Sequence, residues 1–100
     1  MEVIQQLVDA IVARWHPDKV ILFGSWAKGW QTEESDVDLM VVLPFDCSQT
    51  EMYAEILDGI KTHFPLDLVV ITPSMLEQQL AKPNWFYHAV LNYGLVLHDA

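Results

Sequence analysis

Two aspartates stand at the start of an otherwise apolar segment, and their spacing suits metal chemistry. Asp36 and Asp38 flank Val37, and the residues from Leu39 to Leu43 are all apolar. Residues two apart in a β-strand point to the same face, so both carboxylates are expected on one side. Such a pair repels unless a cation or water compensates the charge. Because Mg²⁺ prefers carboxylate, water and phosphate oxygens, the pair predicts a Mg²⁺ site.

A Gly-Ser pair ends the preceding apolar segment and offers hydrogen-bond donors. The run Val20–Phe23 is typical of a buried strand, and Gly24 and Ser25 follow it directly. Glycine lets a phosphate approach the backbone, where neighbouring N–H groups and the serine hydroxyl can donate to it. A helical turn over Trp26–Trp30 would present its N-terminus to that phosphate, and Gly29 would end the turn. Phosphate donors beside metal ligands predict a nucleotide–metal site.

The order of these segments resembles a known family. G-S-W-A-K-G at 24–29 and S-D-V-D-L at 35–39 resemble the G-S-x-A-[RK]-G…S-D-x-D-[LIV] signature of the polymerase-β-like nucleotidyltransferases. The short chain indicates the minimal nucleotidyltransferase (MNT, MntA-like) branch. That family uses a third carboxylate on a later strand, and Asp67 in the apolar segment 66–71 stands at that position. The resemblance extends from about Val20 to Ile71.

The resemblance implies a catalytic role for each carboxylate. Asp36 and Asp38 would hold two Mg²⁺ ions on a nucleoside triphosphate, and Asp67 would join Asp36 at one metal and accept a proton from the attacking hydroxyl. The alternatives are structural: the pair could be a solvated strand end, and Asp67 an edge-strand carboxylate facing water.

The resemblance also implies a nucleotide-binding set. Gly24 and Ser25 would hold the terminal phosphates, and Ser35 belongs to the same set. Lys28 occupies the family's Arg/Lys position and would contact phosphate, although a single loop lysine is usually solvated.

Helices and strands alternate along the chain. Helices are expected over Glu2–Trp15 and Gln49–His63, and a third begins at a capping box formed by Ser74 and Glu77. A fourth begins at Asn84, ends near a Gly94 cap and precedes a short edge strand at 95–97. The segment 31–34 is expected to form a mobile loop. The chain is predicted to be one α/β (α+β) domain over residues 1–100, with a small mixed β-sheet flanked by helices; the resemblance implies the nucleotidyltransferase fold.

The composition restricts the partners. Asp and Glu number 14 against 5 Lys and Arg, a net charge of −9, which repels long nucleic acid and favours a basic protein partner. An apolar fraction of 52% indicates an apolar surface for a partner or a homo-oligomer. Trp26 and Trp30 are candidates for stacking on a base or for packing. Cys47 is the only cysteine, and with neither a signal peptide nor a membrane span expected, the protein is predicted to be cytoplasmic.

The predicted function is Mg²⁺-dependent transfer of AMP from ATP to a hydroxyl. The MNT resemblance implies an antitoxin of a type VII-like toxin–antitoxin pair that modifies a tyrosine of a HEPN-family toxin. Two alternatives stay open: a non-catalytic binding module that masks its partner, and nucleotidyl transfer to a small molecule.

Overall fold

The computed structural model describes residues 2–32, 35–60, 62 and 64–100. The elements follow the chain as α1 Glu2–Trp15, β1 Lys19–Phe23, α2 Ser25–Lys28, β2 Val37–Val42, α3 Gln49–Gly59, β3 Leu66–Ile71, α4 Pro73–Leu80, α5 Trp85–Tyr93 and β4 Leu95–Asp99. The sheet order is β3-β2-β1-β4. β1 is antiparallel to β2 and β4, whereas β2 and β3 are parallel. The predicted mixed α+β fold is confirmed.

The alternation of side chains divides the sheet into two packed faces. One face contributes Val20, Leu22, Val37, Leu39, Val41, Leu68 and Val70 to a core with α1 and α3. The other contributes Ile21, Met40, Val42 and Ile71 to a core with α4 and α5. Asp38 and Asp67 alternate with the first set, so both lie on the face that α4 and α5 cover.

The first helix is amphipathic, as predicted. Its buried residues Ile4, Leu7, Val8 and Ile11 recur at helical spacing. The helix ends before His16, which has a positive φ of 50° and precedes Pro17, a position that disfavours helix.

The third helix is shorter than predicted. Ser48 caps it as expected, because its hydroxyl accepts a hydrogen bond of 3.1 Å from the Glu51 N–H. The helix ends at Gly59, and Ile60 is extended with φ −123° and ψ 153°. The predicted continuation of the helix through Ile60 is therefore wrong, and the physical reason is that glycine is a poor helix former. The predicted end, His63, lies outside the described residues.

The cap of α4 also differs from the prediction. Thr72, not Ser74, caps this helix: the Thr72 hydroxyl accepts a hydrogen bond of 3.0 Å from the Met75 N–H. The physical reason is Pro73, which suits the first helical position and places the cap one residue before it.

The last helix–strand pair follows the predicted order. Asn84 caps α5 by accepting a 3.1 Å hydrogen bond from the Phe86 N–H. Gly94 is the C-cap of α5, as predicted, and its N–H donates to the Val90 carbonyl at 2.8 Å with φ at −74°. It also permits close packing, because a Cβ there would lie 2.6 Å from Ile21 Cγ2. The edge strand β4 follows and is longer than expected.

Candidate active site

The sheet register brings two of the three predicted carboxylates side by side. Asp38 of β2 pairs with Asp67 of β3 in the parallel ladder, so both side chains leave the same face of adjacent strands. Asp38 is half-buried and Asp67 is exposed. Asp36 was predicted within the strand but precedes it, because the ladder starts at Val37, whose N–H donates to the Pro65 carbonyl at 2.9 Å. Asp36 is exposed beside the other two.

The three carboxylates interact electrostatically at Asp38. Four causes together raise the pKa of Asp38 from 3.8 to about 6: burial, which is the largest, then a hydrogen bond with the Asp67 carboxyl, then the negative charges of Asp67 and Asp36. A bound cation would favour the ionised form and reverse this effect. The arrangement is therefore suited to a positive ligand.

Gly24 brings the end of β1 against the carboxylates. Phe23 pairs with Asp38 in the antiparallel ladder, and Gly24 follows with φ 74° and ψ −151°, a region open essentially to glycine alone. A Cβ on Gly24 would overlap Asp38 Oδ2. The predicted phosphate turn and the predicted metal ligand are thus in direct contact, and both require glycine at this position.

Ser25 and Lys28 lie on the short helix α2. Ser25 is its first residue and is half-buried, and Gly29 ends the helix as predicted, with the left-handed φ of 76°. The ammonium of Lys28 lies 5.1 Å from the centre of the Trp30 ring, a cation–π distance. Lys28 is therefore held by its own segment, close to the Gly24 turn.

Ser35 closes a turn between α2 and β2. Its hydroxyl accepts a hydrogen bond of 2.8 Å from the Thr32 N–H, and its own N–H donates to the Thr32 carbonyl at 3.1 Å. Ser35 therefore has a structural partner, and its nucleotide-binding role stays a prediction. Of the loop predicted at 31–34, Glu33 and Glu34 lie outside the described residues.

The carboxylate pair fits a metal that shares its coordination with a substrate. Across the described part of the chain, no three His, Cys, Asp or Glu side chains form a ready-made metal cage. Mg²⁺ does not need one, because it is usually bound through one or two carboxylates together with water and substrate phosphates. Asp38 and Asp67 supply that number of oxygen ligands beside the Gly24 turn.

The sequence did not predict a cluster of aromatic side chains on the sheet face that α4 and α5 cover. Phe86 of α5 packs edge-to-face on Phe23, with ring centroids 5.6 Å apart and planes at 85°. Trp85 stacks similarly on Phe86 at 6.1 Å. The position of Phe23, directly before Gly24, was the available signal, whereas the docking of α5 depends on tertiary packing.

The fold and the site together define a nucleotidyltransferase-type domain, and the comparison with protein families agrees. The family model described as "Nucleotidyltransferase domain" matches residues 4–92. The chain therefore belongs to the nucleotidyltransferase domain family and is a nucleotidyltransferase. Membership implies a nucleoside triphosphate substrate and, in general, a divalent metal.

Two relatives from Methanocaldococcus jannaschii are similar to this chain in sequence. The chain is 30% identical over 99 residues to "Putative protein adenylyltransferase MJ0604", covering 95% of this chain and 94% of that protein. It is 35% identical over 60 residues to "Putative protein adenylyltransferase MJ1379", covering 60% and 58%.

Two solved structures share the fold. One is described as "a putative nucleotidyltransferase from Sulfolobus solfataricus", with a TM-score of 0.66 at 15% identity, covering 95% of this chain and 76% of that one. The other belongs to a toxin–antitoxin structure with AMP-PNP, with a TM-score of 0.57 at 19% identity, covering 96% and 73%. No helix within the described ranges is long and apolar enough to cross a membrane.

Proposed function

We propose that this enzyme transfers AMP from ATP to a hydroxyl group of a partner protein, with Mg²⁺ bound at the carboxylates. The observation that carries the proposal is that the ends of three neighbouring strands meet. Asp38 of β2 pairs in register with Asp67 of β3, and Asp38 Oδ2 occupies the space that a side chain on Gly24, directly after β1, would fill.

Each residue near this edge has a role in the proposed reaction. Asp36 and Asp38 would hold two Mg²⁺ ions, with Asp67 as a further ligand of one of them. The bound metal would supply positive charge that offsets the phosphates and the leaving pyrophosphate. The backbone at Gly24 and the Ser25 hydroxyl donate to the terminal phosphates, with Lys28 and Ser35 at the periphery.

In this proposal Asp67 accepts the proton of the acceptor hydroxyl. It is exposed on the edge strand β3, where a partner's hydroxyl can reach it and transfer its proton to the carboxylate. The hydroxyl oxygen then bonds to the α-phosphorus, the bond from that phosphorus to the bridging oxygen breaks, and pyrophosphate leaves.

A protein acceptor agrees with the surface. Several large apolar side chains are exposed, among them Trp30, Trp85 and Tyr93 at 72%, 78% and 71%, and the net charge is −9. Such a surface favours a partner with complementary apolar and basic groups. The names of the relatives from M. jannaschii and of the toxin–antitoxin structure also support a protein acceptor.

The finer proposal is that the acceptor is a tyrosine of a HEPN-family toxin, which the enzyme neutralises as an antitoxin. The single domain would provide the nucleotide site and the partner the acceptor site. Homo-oligomer formation through the apolar surface and location in the cytoplasm stay predictions.

The test is a transfer assay with ATP labelled at either the α- or the γ-phosphate. The chain is purified with the product of its adjacent gene and supplied with Mg²⁺. We expect α-label on a partner tyrosine, and its loss in the Asp36→Ala/Asp38→Ala variant. Transfer of γ-label alone would contradict nucleotidyl transfer. If the Asp36→Ala/Asp38→Ala variant still binds and neutralises the partner, and no label is transferred, the non-catalytic binding module is favoured for that pair.

A further inference from the structure

A groove runs between α2 and α5 beside the proposed phosphate turn. Its volume is about 240 Å³. Phe23, Gly24, Ala27 and Lys28 line one side, and Trp85, Phe86, Ala89 and Tyr93 line the other. This volume is slightly below the range of about 300–1,000 Å³ for sites that bury whole drug-sized ligands. The groove therefore suits one planar ring system rather than an entire nucleotide.

The position of the groove separates it from the proposed acceptor side. Across the sheet, Asp67 on β3 is followed by Asp38 on β2 and then by Phe23 on β1. The groove begins at Phe23 and Gly24, so it lies on the opposite side of Asp38 from Asp67. If the acceptor hydroxyl approaches Asp67, the groove is available to the part of the nucleotide that does not react.

The chemistry of the groove matches a base better than a phosphate. Trp85, Ala89 and Tyr93 are four residues apart in turn and therefore share one face of α5. Ala89, the small residue between them on this face, lines the groove together with Trp85 and Tyr93, whose side chains are 78% and 71% exposed. Among the described residues that line the groove, Lys28 is the one charged side chain, and none is a carboxylate.

The tryptophans predicted as stacking candidates do not line this groove. Trp26 packs against the core that α1 and α3 form with the sheet, and Trp30 contacts the Lys28 ammonium. The aromatic surface next to the phosphate turn comes from α5 instead.

We propose that the α2–α5 groove binds the base of the nucleoside triphosphate, with the base packed between Trp85 and Tyr93 over Ala89. This inference rests on the proposed function. Aromatic stacking accepts any base through its π-face, so the groove provides affinity for a nucleoside that the phosphate turn alone lacks.

The test compares a ligand that has a base with one that lacks it. Dissociation constants for AMP-PNP and for inorganic tripolyphosphate are measured by calorimetry in Mg²⁺. The groove variants are Trp85→Ala, which removes a wall, and Ala89→Leu, which enlarges the small side chain of the lining. Tyr93→Ala is matched by Tyr53→Ala, an exposed tyrosine of α3 outside the groove. Melting temperatures confirm that each variant is folded.

The wild type is expected to bind AMP-PNP more tightly than tripolyphosphate. The groove variants should weaken AMP-PNP about tenfold, near the lower end of the effect of losing one aromatic stack, and change tripolyphosphate less than about twofold. Tyr53→Ala should change neither.

Three results would overturn the inference while leaving the proposed function intact: equal wild-type affinity for the two ligands, equal effects of the groove variants on both, or an unchanged AMP-PNP affinity with a raised KM for the protein acceptor. Failure of the wild type to bind either ligand would instead contradict the proposed function.

Discussion

The burial of Asp38, together with its neighbours Asp67 and Asp36, should make the metal-free protein less stable than a variant that is neutral at position 38 at high pH. The folded pKa of Asp38 is about 6, above the ordinary value of 3.8. A raised folded pKa on an acid means that ionisation opposes folding. This unfavourable contribution is complete above pH 6 and disappears as the pH falls toward 3.8. The variant Asp38→Asn removes the ionisable proton while keeping the shape of the side chain.

The expected gain is about 1 kcal/mol. A pKa difference of about 2 corresponds to about 3 kcal/mol in full, but Asp38 is only half-buried, so solvent screening reduces the electrostatic contribution. For a domain of this size, about 1 kcal/mol raises the melting temperature by about 4–8 °C.

Thermal unfolding in EDTA at pH 8 and at pH 4 measures this effect. The matched control is Asp46→Asn, which removes one charge from an exposed connection away from the site. We expect Asp38→Asn to melt higher than both wild type and control at pH 8, with most of the difference lost at pH 4. An unchanged or lower melting temperature at pH 8, or a gain equal to that of Asp46→Asn, would refute the reasoning.

Two further predictions concern the stability of single variants, one at the Gly24 turn and one at the cap of α4. Gly24→Ala should lower the free energy of unfolding by at least about 2 kcal/mol, because its φ and ψ suit glycine alone and a Cβ would displace Asp38. Gly29→Ala, with open space around a Cβ, should lower the free energy of unfolding less. Equal losses for the two variants in chemical denaturation would contradict the predicted clash. Thr72→Ala should lower the free energy of unfolding by about 1 kcal/mol through loss of the α4 cap, whereas Ser74→Ala should be nearly neutral. A larger loss for Ser74→Ala than for Thr72→Ala would indicate that Ser74 is the cap.

Most residues of the candidate site are recognisable in the sequence because the signals that mark them are local. The Gly24-Ser25 turn, the spacing of Asp36 and Asp38, and the charge of Asp67 within an apolar strand can all be recognised without knowing the sheet. Strand alternation then places Asp38 and Asp67 on defined faces. What alternation cannot provide is the register that pairs them, which depends on how β2 and β3 pack against the helices.

The errors arose where several local signals compete. Both Thr72 and Ser74 are capping residues near the start of α4, and Pro73 decides between them. Both Gly59 and Pro65 are candidate stops for α3, and the helix ends at the glycine. The α2–α5 groove was not predictable, because Trp85 and Phe86 reach Phe23 only through tertiary packing of a helix more than sixty residues away along the chain.

The central claim is that Asp38, Asp67 and the Gly24 turn form one nucleotide–metal site. The most direct test is the dissociation constant of AMP-PNP with and without Mg²⁺, measured for the wild type, Asp38→Asn and Asp67→Asn. We expect Mg²⁺ to strengthen AMP-PNP binding to the wild type at least about tenfold, equivalent to about 1.4 kcal/mol, and both variants to lose most of this strengthening. The same dependence on Mg²⁺ in all three proteins would contradict it.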